Sequence, residues 1–195
     1  AANNETGVIQ PVKEIGEICR DRGAFYFADC VQSAGTQPVY TEFCDGLSIS
    51  SHKLYGPKGA AALYVRGGSK VSGIISGGMQ ERGLRGGTVN VAAVVGFAEA
   101  FKASVEDRER SKKIGEIRDR FLKRVFSEIE GVHINGSGNV LPSHANLSFD
   151  GCEGENILFG LDLNGVAVST GSACSAGAVS PSHVLEAMGL SKERV

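Results

Sequence analysis

The sequence predicts an α/β fold on three observations. Short apolar runs alternate with polar loops and an amphipathic stretch through the first half of the chain, the rhythm of a mostly parallel sheet with helices. Polar and charged residues gather just after those runs, where open α/β sheets bind their ligands. The chain also carries 27 glycines, which implies many tight turns and close backbone approaches.

At 195 residues there is room for one domain, or for one domain and a smaller companion, with a sizeable core. We place the larger part at 1–109 and a smaller α+β part at 110–195. The formal net charge of −2 gives no footprint for nucleic acid or an anionic membrane. No apolar run approaches the length of a membrane span. The chain opens Ala1-Ala2-Asn3-Asn4 without a methionine, so its start carries no information about a leader. Five cysteines (Cys19, Cys30, Cys44, Cys152, Cys174) lie dispersed with no CxxC pair, against a disulfide framework or a zinc cage and in favour of a reducing compartment.

Asn3-Asn4-Glu5-Thr6-Gly7 reads as a polar loop. Pro11 suits the first turn of a helix whose stripe is Val12, Ile15, Ile18 and Cys19 and whose stop is Gly23. Residues 24–28 form a short apolar strand with Asp29 at its carboxyl end. Apolar runs at 47–49 and 60–65 read as buried strands flanking Ser50-Ser51-His52-Lys53-Leu54-Tyr55-Gly56-Pro57-Lys58-Gly59.

Residues 67–87 make a glycine-rich excursion in which Arg82 and Arg85 stand among small residues, placed to face a ligand or another subunit. A long helical pattern then covers 91–130, with Ile114, Ile117, Phe121, Val125 and Ile129 as the stripe of its charged second half. Strands are expected at 132–134, 146–149 and 166–168, and helices at 155–163 and 181–188, the latter capped by Ser180 and stopped by Gly189.

The chemistry-bearing candidates each have a plain alternative. A lysine at the end of a buried strand is costly unless an amine is needed there, which suggests a Schiff-base role for Lys53. Lys58 is its rival, and both fit surface lysines beside a turn. Asp29 is either a turn former or the partner of a protonated pyridine nitrogen. Gln32 is either its neighbour in a site or a solvated loop residue. His52 is either a satisfied imidazole or a phosphate donor; His133, His144 and His183 show no ligand spacing. Cys174 lies in TGSACSAGA, without bulky packing partners, whereas Cys19, Cys30, Cys44 and Cys152 read as core fillers.

The motifs ANNETG, ADCVQSAG, SSHKLYGPKG, GGMQERGLRGGT and STGSACSAG, in this order, resemble the cysteine desulfurases of the class V aminotransferase family, specifically the NifS-like, iron–sulfur-assembly branch. The resemblance runs from Ala2 to about Leu190. It implies a fold type I transferase dependent on pyridoxal 5'-phosphate. Lys53 would be the Schiff-base lysine, Asp29 would pair with the pyridinium nitrogen, and Gln32 and Asn4 would bond the ring hydroxyl region. Ser50 and His52 would bind the phosphate, Thr88 would reach the phosphate of the partner in a homodimer, and Cys174 would accept sulfur from L-cysteine. Alanine is the expected product, and an iron–sulfur scaffold or another sulfur-acceptor protein the expected partner.

The resemblance further implies a cytoplasmic or organellar-matrix protein without a metal. Met79 and Gly87 depart from the family's usual residues. The family's chain also extends to both sides of this one, so a fragment inactive by itself is expected. The alternatives are a selenocysteine lyase or another class V aminotransferase, which would not need Cys174, and a non-catalytic scaffold for sulfur-transfer partners.

Overall fold

The computed structural model describes residues 1–171 and 182–191. These fall into two compact units. The first comprises Ala1–Ala2 and Ile9–Glu109; the second comprises Asn3–Val8 together with the chain from Arg110 onward. Asn3–Val8 thus groups with the second unit and apart from the rest of the N-terminal stretch.

The first unit holds α1 (Val12–Asp21), β1 (Phe27–Asp29), β2 (Gly46–Ser50), β3 (Ala61–Val65) and α2 (Val91–Glu106), with short 3-10 turns at Ser51–Leu54 and Gln80–Gly83. The sheet order is β1-β2-β3, with β1 parallel to β2 and β3 antiparallel to it, so these strands form a mixed sheet rather than a mostly parallel one. Ala28, Leu47 and Tyr64 stand in register on one face. They pack with Val12, Cys30 and Cys44 into a core that closes α1 over the sheet.

The α1 stripe differs from the expected one. Ile18 is 61% exposed, and the close contact is made by Gly16, where a Cβ would stand 2.4 Å from the Phe43 carbonyl oxygen. An apolar period marks a face, but here the helix approaches so closely that only a residue without a side chain fits. β3 is likewise not buried. Its Leu63 shares a face with Asp29 and Ser48, and no element among the described residues covers it.

A second core joins Ala34, Leu54, Ala60, Ala93 and Phe97, and seats α2 against the turn after β2. α2 starts at Asn90, whose Oδ1 accepts the Ala93 N–H at 3.1 Å, a side-chain cap. The expected single helix is two, because Asp107 takes a non-helical conformation between α2 and α3 (Arg108–Glu128).

The second unit contains α3, β4 (Val132–Ile134), β5 (Leu147–Phe149), α4 (Gly154–Leu163) and α5 (His183–Ala187). β4 and β5 pair antiparallel. The half-buried side of α3 carries Ile114, Gly115, Arg118, Leu122 and Val125, while Ile117, Phe121 and Ile129 of the expected stripe are exposed. Arg118 is drawn inward because its Nη1 donates to the Leu141 carbonyl at 3.0 Å.

Residues 166–168 form no strand; the Val166 N–H instead closes the end of α4 on the Leu161 carbonyl at 2.9 Å. The cap of α5 is Ser182, whose Oγ accepts the Leu185 N–H at 3.2 Å. The helix begins at His183, three residues beyond Ser180, which lies outside the described residues. Gly189 ends this helix in the left-handed region, at φ 82°, as expected.

Candidate active site

Parallel pairing of β1 with β2 brings two carboxyl ends to one edge of the sheet. Asp29 is opposite Ser48 in register, and alternation puts Ser48 and Ser50 on the same face of β2. The Asp29 carboxylate is oriented by two donors to Oδ1: the Ser48 hydroxyl at 3.1 Å and the Val31 N–H at 2.9 Å. Ser48 is the neighbour of Asp29 that reading the sequence missed. The alternation in Gly46-Leu47-Ser48-Ile49-Ser50 was the signal, since it sets two hydroxyls on one face.

Where β2 ends, Ser51–Leu54 turns as a 3-10 helix and presents His52 and Lys53 to solvent. Ser50 Oγ and His52 Nδ1 are 2.9 Å apart. With a neutral imidazole, either direction of this bond leaves one donor over: Nε2–H if the serine donates, the serine O–H if Nδ1 donates. The pair is therefore suited to an anion in both tautomers.

Lys53 is exposed, so the desolvation cost expected of a lysine at the end of a buried strand does not apply. Its distinction from Lys58 is anchorage. Ser51 is 0% exposed and Leu54 is buried in the second core, so the peptide units around Lys53 are fixed, whereas Lys58 sits among the exposed Pro57 and Gly59. Backbone bonds complete the turn: the Ser51 N–H donates to the Ala60 carbonyl at 3.1 Å, and the Gly56 N–H to the Ser51 carbonyl at 3.0 Å. Glycine is required at 56, where a Cβ would meet Ser51 Oγ at 2.4 Å. The same holds at 96, where it would meet the Pro57 ring at 2.7 Å. Tyr55 takes φ 63°, a left-handed conformation that is costly for a non-glycine residue and held by this packing.

Gln32 is half-buried in the loop after Asp29. That loop is fixed by Ser33 and Ala34 N–H groups on the Cys30 carbonyl at 3.1 and 2.9 Å. Gly35, at φ +81°, tucks it against Leu54 and Ser104 of the α2 side. Thr88 is exposed, two residues before the α2 cap. The structure thus brings Asp29, Ser50, His52 and Lys53 to one edge, with Gln32 on the adjoining loop. Asn4 belongs to the second unit and is exposed there, and Cys174 lies outside the described residues.

Burial pushes the Cys30 and Cys44 thiols up from their ordinary value, which favours the protonated, less nucleophilic form of each. Cys152 is exposed and Cys19 half-buried, so neither is the core filler expected of it. Cys152 follows the surface turn at Asp150-Gly151.

The profile of the family described as Aminotransferase class-V matches residues 1–192. The chain belongs to this family. A cysteine desulfurase, IscS of Clostridium botulinum, is 42% identical over 198 residues, covering 98% of this chain and 50% of that protein. The NifS-like protein of Rickettsia africae superposes with a TM-score of 0.88 at 31% identity, over 99% of this chain and 52% of that one. SspA in complex with cysteine superposes at a TM-score of 0.78 and 34% identity, over 99% of this chain and 54% of that one. The chain spans about half the length of the curated relatives it matches.

The expected fold type I architecture is that of these NifS-like neighbours. Membership brings pyridoxal 5'-phosphate as the cofactor, and the residues present fit it on the chemistry of the donor set. An oriented carboxylate suits a protonated ring nitrogen, a hydroxyl–imidazole pair suits a phosphate, and a primary amine on a fixed turn suits an aldehyde.

Proposed function

We propose that the protein carrying this chain is a cysteine desulfurase, converting L-cysteine to L-alanine and passing sulfur to its own Cys174. The observation that carries the reading is the edge just described. Asp29 is held by Ser48 and Val31, and the Ser50–His52 pair and Lys53 follow at the end of the neighbouring strand. The 42% identity to IscS and the likeness to SspA bound to cysteine support the substrate.

When bound, the cofactor supplies an electron sink for the substrate's α-carbon. Asp29 would keep the ring nitrogen protonated through its free Oδ2 side, since Oδ1 already accepts two bonds. Ser50 and His52 would hold the phosphate, Gln32 and Asn4 the ring hydroxyl, and Thr88 the phosphate of a partner subunit in a homodimer. The Lys53 amine would hold the aldehyde covalently, yield to the substrate amine, and take up a proton at Nζ when released.

Cys174 would attack the substrate sulfur as a thiolate. The S–S bond forms as the Cβ–S bond breaks, the electron pair stays on carbon, and a proton converts that carbon to the methyl of alanine. The persulfide then serves an acceptor protein, an iron–sulfur scaffold among the candidates, with the cytoplasm as the compartment. Among the described residues no helix is long and apolar enough to cross a membrane.

The test is alanine and sulfide release from cysteine by the complete protein and by its Cys174→Ser variant. Loss of at least about a hundred-fold in the variant is expected for a nucleophile. Undiminished alanine release would refute the persulfide route and favour a lyase or aminotransferase using the same lysine.

A further inference from the structure

Ser48 is the third residue of β2, the middle strand of the three, with Asp29 of β1 on one side and Leu63 of β3 on the other. The next row on the same face is Phe27, Gly46 and Val65, none of which carries a polar side chain. Serine is not among the residues that strands favour, and Ser48 has no place in the core behind the sheet. Its hydroxyl is the group that sets the position apart.

The backbone of Ser48 is fixed first. Its carbonyl accepts the Cys30 N–H at 2.9 Å, and the preceding Leu47 lies buried in the first core with Ala28 and Cys30. The hydroxyl then donates to Asp29 Oδ1 at 3.1 Å across the parallel pair. The same oxygen accepts the Val31 N–H at 2.9 Å, an Asx turn made within the loop itself. One donor alone lets a carboxylate pivot about the bond it accepts. Two donors arriving from different elements remove that pivot and set the direction of Oδ2. Asp29 is exposed, so water would satisfy its carboxylate without Ser48, and the bond matters more for direction than for stability.

We propose that Ser48 is a positioning residue for the cofactor's ring nitrogen, acting through Asp29; this rests on the reading of Asp29 as the partner of that nitrogen. By holding Oδ1, Ser48 commits Oδ2 to the nitrogen's proton. It thereby sets how completely the nitrogen stays protonated, and so how strong an electron sink the ring makes. Ser48 touches neither cofactor nor substrate in this scheme. Ser50 lies on the same face two residues on, roughly 6.6 Å further along the strand. One strand therefore serves the nitrogen through Ser48 and the phosphate through Ser50, and removing the Ser48 hydroxyl disturbs only the first.

The test uses the complete protein loaded with pyridoxal phosphate carrying nitrogen-15 in its ring, unmodified and as Ser48→Ala, Ser48→Val, Ser48→Thr and Asp29→Asn. Threonine and valine have the same shape and both suit a strand, so their comparison isolates the hydroxyl even if Ser48→Ala fails to load. Three readouts are taken: the ring-nitrogen NMR signal, which reports its protonation, the phosphorus signal, which reports the phosphate seat, and alanine release from cysteine. In Ser48→Ala and Ser48→Val the nitrogen signal is expected to move part of the way toward the neutral ring, with the phosphorus signal unmoved. Asp29→Asn should move the nitrogen signal further, and Ser48→Thr should restore it. In Ser48→Ala kcat is expected to fall about ten-fold with KM for cysteine little changed, because the sink acts in the transition state and not in binding.

A nitrogen signal unmoved in Ser48→Ala or Ser48→Val overturns the proposal, as does one that moves alike in Ser48→Thr and Ser48→Val. A phosphorus signal that moves along with the nitrogen signal also overturns it, because that marks displacement of β2 as a whole. Movement in Asp29→Asn alone strikes Ser48 and leaves the reading of Asp29 standing; no movement in Asp29→Asn either removes both. These spectra do not depend on which reaction the protein catalyses, so a failure of the desulfurase reading shows separately, as an unmodified protein that makes no alanine from cysteine.

Discussion

In the first unit, the turn bearing Lys53 is held by apolar contact: Leu54 lies in a core with Ala34, Ala60, Ala93 and Phe97, and Gly96 admits the Pro57 ring against α2. In the second unit, the Asn3–Val8 turn and the strands behind it are held by side-chain hydrogen bonds. Asn3 Oδ1 accepts three of them, Glu5 meets Ser182, and Asn135 Nδ2 donates to Asn146 Oδ1 at 2.8 Å and to Ser148 Oγ at 2.7 Å. Apolar packing is non-directional and responds to volume, so it suits a turn whose exposed lysine must only be kept in place. Hydrogen bonds are directional and costly to leave half-made, so they suit a region where residues distant in sequence meet through particular atoms.

The contrast can be broken from either side. Phe97→Ala is expected to give the larger loss, about 3–5 kcal/mol, because it empties the core under the Lys53 turn. Denaturant titration of the complete protein measures it, and a loss within experimental error would mean that α2 does not support that turn. Asn135→Ala should cost less, about 1–3 kcal/mol, by leaving Asn146 Oδ1 and the Ser148 hydroxyl short of a buried donor. Asn135→Asp, which removes the donor but keeps the shape, should be no better than Asn135→Ala. Recovery of stability in Asn135→Asp would show that volume, not donation, holds the β4–β5 pair.

The same contrast explains what could be read from the chain beforehand. The α/β class, the helices over α1 and α4, and the strands after Ala24 and Gly131 all follow from local pattern. What failed depended on tertiary contact. The apolar period of α3 has two candidate sides, and Arg118 is drawn inward by a carbonyl distant in sequence, leaving Ile117 and Phe121 out. The 60–65 run looks buried by composition, yet its exposure depends on what covers Leu63.

The types and spacing of Asp29, Ser50, His52 and Lys53, the residues proposed for the site, were legible. Ser48 as the orienting donor was hidden until the parallel register placed it opposite Asp29. Apart from these residues, the buried Glu5–Ser182 bond was equally hidden, because its partners stand 177 residues apart along the chain.

The fixed turn after β2, and not the exposed Gly-Pro-Lys-Gly loop beyond it, is proposed to provide the amine for the cofactor. Borohydride reduction of the pyridoxal-phosphate-loaded protein makes that linkage permanent, and peptide mass mapping then finds the labelled residue. The pyridoxyl mass is expected on Lys53 alone; the same mass on Lys58, or unchanged labelling in Lys53→Ala, would show that another amine holds the cofactor.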